Sequence, residues 1–147
     1  MIRAMLDTNV LVSGFAGLTL ATSTPGAIMR HWLEGTFELV ISASIQTELE
    51  RTFTKPYFRS RRSIAQIIAT ERLVANSSAI VVPTIVVSGV ASHPEDDLVI
   101  AAAVSAGVDY LVTGDKQLQR LGVYQGISIL SPREFLVLIG VSGGEEA

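Results

Sequence analysis

Hydrophobic positions along the chain come as short unbroken runs, separated by stretches in which apolar residues recur at helical spacing. Strands covered on both faces need no polar alternation, so this pattern predicts an α/β domain with a largely parallel sheet. Ile2 to Leu6 reads as the first strand, ending at Asp7-Thr8-Asn9. A loop over Gly14 to Ser23 leads to Thr24-Pro25, an N-cap with Pro at the first helical position. That helix runs to about Glu34, and Gly35 stops it. Phe37 to Ile41 is the second strand, and Ser42 or Ser44 caps the helix that carries Glu48. Residues 61 to 75 put Ile64, Ile67, Ile68 and Val74 on one helical side. Ala79 to Val82 reads as a third strand, while Ile85 to Val90 fits strand or loop. Ser92-His93-Pro94-Glu95 has the form of a capping box, opening a helix through Ala106 that stops at Gly107. Tyr110 to Val112 is a strand ending at Thr113-Gly114-Asp115, and a short helix follows. Ile127 to Ile129 is the closing strand, and Ser131-Pro132-Arg133-Glu134 starts the last helix. These elements make one domain over residues 1–140, with a flexible tail at 141–147.

Composition narrows the class. A chain of 147 residues, 48% hydrophobic and 17% charged, is long enough for one sizeable core and too apolar to be disordered. No apolar run reaches the ~18 residues that span a bilayer, so a soluble protein without membrane contact is expected. The N-terminal apolar stretch with Arg3 looks like a signal peptide, but Asp7 and Asn9 interrupt it, as a buried strand end would. The absence of cysteine removes disulfides, thiolate metal sites and Cys nucleophiles, and fits the cytoplasm. A net charge of −3 does not mark a nucleic-acid binder, yet Arg51, Lys55, Arg59, Arg61 and Arg62 are five of the eleven basic residues. No acid lies between Glu50 and Glu71, so this segment is either a solvated helix face or a phosphate contact. Tyr57 and Phe58 beside it would stack on unpaired bases or pack locally. A mean hydropathy of +0.44 leaves room for apolar surface hidden in a homodimer.

The chemistry gathers at one predicted sheet edge. Asp7 and Asp115 fall just beyond the carboxyl ends of strands, where loops of open parallel sheets diverge into a crevice. Asp97 lies in the first turn of its helix and Glu48 about one turn into its own, both pointing at the same edge. Four carboxylates so placed repel one another unless a cation neutralises them, and an all-oxygen set favours Mg2+ or Mn2+. With only His31 and His93 and no cysteine, zinc is disfavoured. Each acid also has a structural reading. Asp7 can make an Asx-turn, Asp115 can N-cap the next helix, and Asp96 and Asp97 can complement a helix dipole. Glu48 can be an ordinary exposed helix residue. The glycines form no G-x-x-x-x-G-K-[ST] or G-x-G-x-x-G loop, and there is no G-x-S-x-G nucleophile elbow.

The segments MLDTNVLVSG, IQTELERTF and EDDLVIAAAVSAGVDYLVTGD resemble the three acidic motifs of PIN domains, and ISILSPREFL resembles their closing strand and helix. The match is with the bacterial and archaeal branch described as toxin components of toxin–antitoxin pairs. The resemblance implies a three-layer α/β/α fold around a mainly parallel sheet and a Mg2+- or Mn2+-dependent endoribonuclease with one or two ions. It also implies an antitoxin partner covering the cleft. Carried over by position, the catalytic and metal-binding quartet is Asp7, Glu48, Asp97 and Asp115. Asp96 would assist, Thr8 or Asn9 would orient Asp7 or hold a water, and Thr113 would bond Asp115 or a water. Gln117 stands where relatives often carry another acid, which bears on the second ion. Arg51, Lys55, Arg59, Arg61 and Arg62 would contact RNA phosphates. Two alternatives remain at this stage: a non-catalytic RNA- or protein-binding module on the same fold, and an aspartyl-nucleophile phosphatase. The latter usually has a second Asp two residues after the first, where this chain has Asn9.

Overall fold

A computed structural model of the protein describes residues 1–60, 66–67, 70–72, 74 and 79–146. Strands β1 (Arg3–Leu6), β2 (Glu38–Ser42), β3 (Ala79–Val81), β4 (Tyr110–Val112), β5 (Val123–Tyr124) and β6 (Ile127–Leu130) form one sheet in the order β3-β2-β1-β4-β6-β5. All pairings are parallel except β5 with β6. In β1, Ala4, Met5 and Leu6 are all buried, as are Leu39, Val40 and Ile41 in β2. Successive strand residues face opposite ways, so unbroken burial means the sheet centre is covered on both faces. The three-layer α/β/α architecture expected from sequence is the one observed.

Helices α1 (Thr8–Ala16) and α2 (Thr24–Leu33) link β1 to β2, and α2 also packs on the final helix α7 (Pro132–Glu146). Helices α3 (Ala43–Phe53) and α4 (Pro56–Arg59) follow β2, α5 (Pro94–Ala106) carries the chain from β3 to β4, and α6 (Lys116–Gln119) follows β4. The chain lays β1, β2 and β3 outward in one direction, then crosses back to place β4 on the other side of β1. With right-handed crossovers, that reversal puts α5 on the face opposite α1 and α2. It also opens a crevice between the carboxyl ends of β1 and β4, where loops leave in opposite directions.

Several elements differ from the sequence expectation. Residues 8–16 form α1, which takes in the start of the loop expected over Gly14 to Ser23. Ser23, not Thr24, caps α2: its hydroxyl accepts from the Gly26 amide at 3.0 Å. Ser42 does cap α3, accepting from the Ile45 amide at 3.0 Å. The capping box at Ser92 does not form, because His93 is the N-cap of α5 and makes no side-chain cap bond. A capping box forms instead where the last helix starts: the Ser131 amide donates to Glu134 Oε1 at 3.0 Å and the Glu134 amide to Ser131 Oγ at 3.1 Å. Residues 82–93 hold no strand. A hairpin adds β5, and α7 continues through 141–146, which the sequence reading assigned to a tail. The expected helix at 61–75 falls partly outside the described residues; Gln66, Ile67, Thr70, Glu71, Arg72 and Val74 are helical. No helix among the described residues is long and apolar enough to cross a membrane.

Candidate acidic active site

Strand register brings the first two polar groups together. Leu6 pairs with Val112, and the Asp7 amide donates to the Val112 carbonyl at 2.9 Å, so Asp7 and Thr113 stand side by side one residue past their strands. Asp7 caps α1, its Oδ1 accepting from the Thr8 amide at 2.8 Å. Its Oδ2 accepts from the Thr113 hydroxyl at 3.0 Å, and that hydroxyl accepts in turn from the Asp115 amide at 3.1 Å. Asp115 caps α6, with Oδ1 accepting from the amides of Gln117 at 2.8 Å and Leu118 at 3.4 Å. Across the crevice, the Thr8 hydroxyl donates to Glu48 Oε2 at 2.8 Å. Thr8 and Thr113, both buried, therefore link Asp7, Glu48 and Asp115 into one network. The structural readings of Asp7 and Asp115 as caps hold too: one carboxyl oxygen of each completes a helix start, which fixes the group in place.

The charges crowd. Burial pushes the Asp7 carboxyl above its ordinary pKa, and the charges of Glu48 and Asp115 push further, against the bonds from Thr113 and Thr8. Asp96 is also raised, first by burial and then by the charges of Asp7 and Asp115, with His93 opposing. Asp96 therefore shares the field of the network. Asp97 sits elsewhere: it is buried, and its Oδ2 and Oδ1 accept from the backbone amides of Gly89 at 3.0 Å and Ala91 at 2.7 Å. The sequence expectation puts Asp97 in the quartet with Asp96 as its assistant; in the structure the Asp97 oxygens hold the loop. Adjacent helix residues point about 100° apart, and of the two it is Asp96 whose charge meets those of Asp7 and Asp115.

A cavity of about 40 Å³ lies beside the network, lined by Val90, Ala91, Ser92, Asp96, Asp115, Gln117 and Leu118. Ser92 Oγ donates to Gln117 Oε1 at 2.5 Å across its rim, a contact no sequence pattern announced. Among the described residues, no three acids or histidines are already drawn close enough to share one ion. The donors nevertheless suit a hard cation in kind: they are all carboxylates, and burial first, then their mutual repulsion, raises the proton affinity of Asp7 and Asp96.

The other expected site residues lie further out. Asn9 is exposed on α1. Arg51 is exposed one turn beyond Glu48 on α3, Lys55 precedes α4 and Arg59 ends it; Arg61 and Arg62 lie outside the described residues. The aromatic pair divides: Phe58 is buried edge-on against Phe53, while Tyr57 is 56% exposed. His31 meets Thr36 at 3.3 Å, away from the acids.

Thr113→Val should separate the hydroxyl from the fold, since the side chains match in shape. Removing the hydroxyl leaves the Asp115 amide and Asp7 Oδ2 each short of a partner, a cost of about 1–3 kcal/mol. Thr113→Ser keeps the hydroxyl and should retain most of that stability. Urea unfolding of the two variants gives the comparison.

The chain matches the family model described as the PIN domain over residues 3–117. Among solved structures, PAE2754 from Pyrobaculum aerophilum aligns over 95% of this chain and 90% of its own, with a TM-score of 0.63 and 18% identity. VapBC2 from Rickettsia felis, bound to a DNA fragment from their promoter, aligns over 88% of this chain and 98% of its own, with a TM-score of 0.59 and 14% identity. At such identities the likeness is one of fold. No curated protein matches the chain in sequence.

Proposed function

The chain belongs to the PIN-domain family, and from that premise we propose that it is a divalent-metal-dependent endoribonuclease and the toxin of a toxin–antitoxin pair. One observation carries the catalytic part: Asp7, Glu48 and Asp115 are tied together through Thr8 and Thr113 at the β1/β4 crevice, with Asp96 in their field. We assign the ion-binding role to these four, with Asp96 in the place the motif spacing offered to Asp97. A Mg2+ or Mn2+ ion held there supplies Lewis acidity to the phosphate and offsets charge developing on it. The protein's own part is orientation. Thr8 keeps Glu48 turned towards Asp7, and Thr113 holds Asp7 and Asp115 in register. The α1 and α6 cap bonds leave each Asp little freedom to swing.

Arg51, Lys55 and Arg59, all exposed, would take the RNA backbone beyond the acids, adding affinity without sequence choice. The fold likeness to VapBC2 supports a partner chain, an antitoxin that covers the crevice in the resting state. Gln117 offers an amide where a further acid would serve a second ion, and its bond from Ser92 occupies that oxygen, so the reading favours one strongly held ion. A cytoplasmic location and a homodimer belong to the same reading.

The test uses the purified chain with manganese and a single-stranded RNA. Cleavage is expected, and Asp96→Asn should remove it along with most of the rise in melting temperature that saturating manganese produces over chelator. No manganese shift in the wild-type protein would favour the alternative of a non-catalytic binding module. That alternative draws on the lack of a preassembled three-ligand group among the described residues. Cleavage at the wild-type rate by Asp96→Asn would return the role to Asp97. Hydrolysis of simple phosphate esters would favour the phosphatase reading, for which the exposed Asn9 is ill placed.

A further inference from the structure

The segment 89–92 has two faces. Val90, Ala91 and Ser92 line the small acidic cavity. Gly89, Ala91 and Ser92 also line a larger, more open pocket of about 480 Å³, together with Val86, Pro94, Leu98 and Asp97 itself. The segment is thus a thin partition between the acids and an apolar recess. It belongs to no helix or strand, so its shape must come from other bonds. Gly89 adopts φ +72°, which turns the chain sharply. Two amides that bracket Val90, those of Gly89 and Ala91, donate to the two oxygens of Asp97 at 3.0 and 2.7 Å. At its far end, Ser92 is fastened to Gln117.

We propose that Asp97 is a positioning residue, which fixes the 89–92 partition through these two amides and so shapes the wall against which substrate lies. The proposal rests on the nuclease reading above for its substrate, but not for its geometry. Only a carboxylate offers two acceptors at this spacing; an amide turns one of them into a donor facing a backbone N–H. Charge-assisted bonds to backbone amides are roughly twice as strong as neutral ones, which suits a short loop with no ladder of its own. The burial of Asp97 fits this role: it lies beneath the loop it holds, and each of its oxygens already accepts from that loop. Asp96 and Asp97 thereby divide the work of one helix turn. One faces the acids, and the other holds the wall.

Amide hydrogen exchange reads the clamp directly in the wild-type protein. Gly89 is exposed, yet its amide and that of Ala91 should exchange slowly. Fast exchange at both overturns the clamp without any variant. In Asp97→Asn both amides should exchange at least about tenfold faster, reflecting local opening. On single-stranded RNA, Asp97→Asn should raise KM about tenfold with kcat within about twofold, the signature of lost binding rather than lost chemistry. Its manganese melting shift should match the wild type, where that of Asp96→Asn is lost. Asp97→Glu, which keeps the charge but displaces both oxygens, should show the same KM effect. Loss of the manganese shift in Asp97→Asn would place Asp97 among the ligands, and an unchanged KM with fast amides would show that substrate does not use the wall. Absence of cleavage by the wild-type protein would count against the nuclease reading, while the two amides would still decide the clamp.

Discussion

Asp7→Asn should cut manganese-dependent RNA cleavage by at least about 100-fold, the upper range for loss of a group that supports a metal site, and should make the metal-free protein more stable. The two effects share one cause. The Asp7 carboxylate is held above its ordinary pKa chiefly by burial, then by the charges of Glu48 and Asp115. In the folded state without an ion, its charge is therefore a burden. Asparagine keeps an oxygen for the Thr8 amide and an amide that can donate to Thr113, while removing the charge. The pH dependence follows from the sign of the shift. A carboxyl whose folded pKa exceeds its unfolded one binds more protons in the native state, so stability rises as pH falls through the folded value. The advantage of Asp7→Asn over the wild type should then be full near neutrality and shrink towards pH 3.8, the ordinary value for Asp7. Melting curves in chelator across that range give the comparison. Saturating manganese should reverse the order, because only the wild-type protein gains stability by binding. A metal-free Asp7→Asn protein less stable than wild type at pH 7 would mean the carboxylate is needed as a cap more than it is resented as a charge.

The parts of this site legible in the sequence were those next to the sheet. Strands β1, β2 and β4 announce themselves as apolar runs because both their faces are buried, and Asp7 and Asp115 follow two of them directly. Periodicity could not choose between Asp96 and Asp97. Both lie in the first turn of α5, and the groups that claim Asp97 come from residues 89 and 91, in a segment with no period to read. The capping box at Ser92 misled for a related reason. Pro94 takes the first turn, His93 becomes the cap, and Ser92 falls one residue outside, free to reach Gln117. Strand β5 is two residues long, too short for any pattern. Its hairpin with β6 depends on positive φ at Gly122, Gln125 and Gly126, of which only the glycines stand out in a sequence. Helix α1 was hidden by its composition: Val10, Val12 and Gly14 are poor helix formers, and what holds it is packing.

That packing makes Gly26→Ala the variant with the largest expected effect on the fold. In the sequence, Gly14, Gly17 and Gly26 could be said only to form no phosphate loop. In the structure they are where α1 and α2 touch. A Cβ on Gly26 would lie 2.1 Å from the Gly17 carbonyl oxygen, and one on Gly14 would lie 2.3 Å from Met29 Cγ. Met29 has a flexible side chain that can yield, but the Gly17 carbonyl is backbone and must move with its helix. Overpacking of this kind costs about 1–3 kcal/mol, and the better helix propensity of alanine recovers at most about 1. A net loss of about 1–2 kcal/mol should lower the melting temperature by roughly 2–8 °C for a domain this size. Gly140→Ala is the matched control: it lies in α7 with nothing within 4 Å of its Cβ, so only the propensity gain remains and stability should rise. The consequence reaches the acids, because α1 begins at Asp7 and its first turn carries the Thr8 hydroxyl that turns Glu48. A strained α1–α2 contact should therefore weaken manganese binding as well as the fold. If Gly26→Ala melts lower but binds manganese as tightly as wild type, the acidic network is held by β1 and β4 alone, and α1 is a passenger on Asp7 rather than its support.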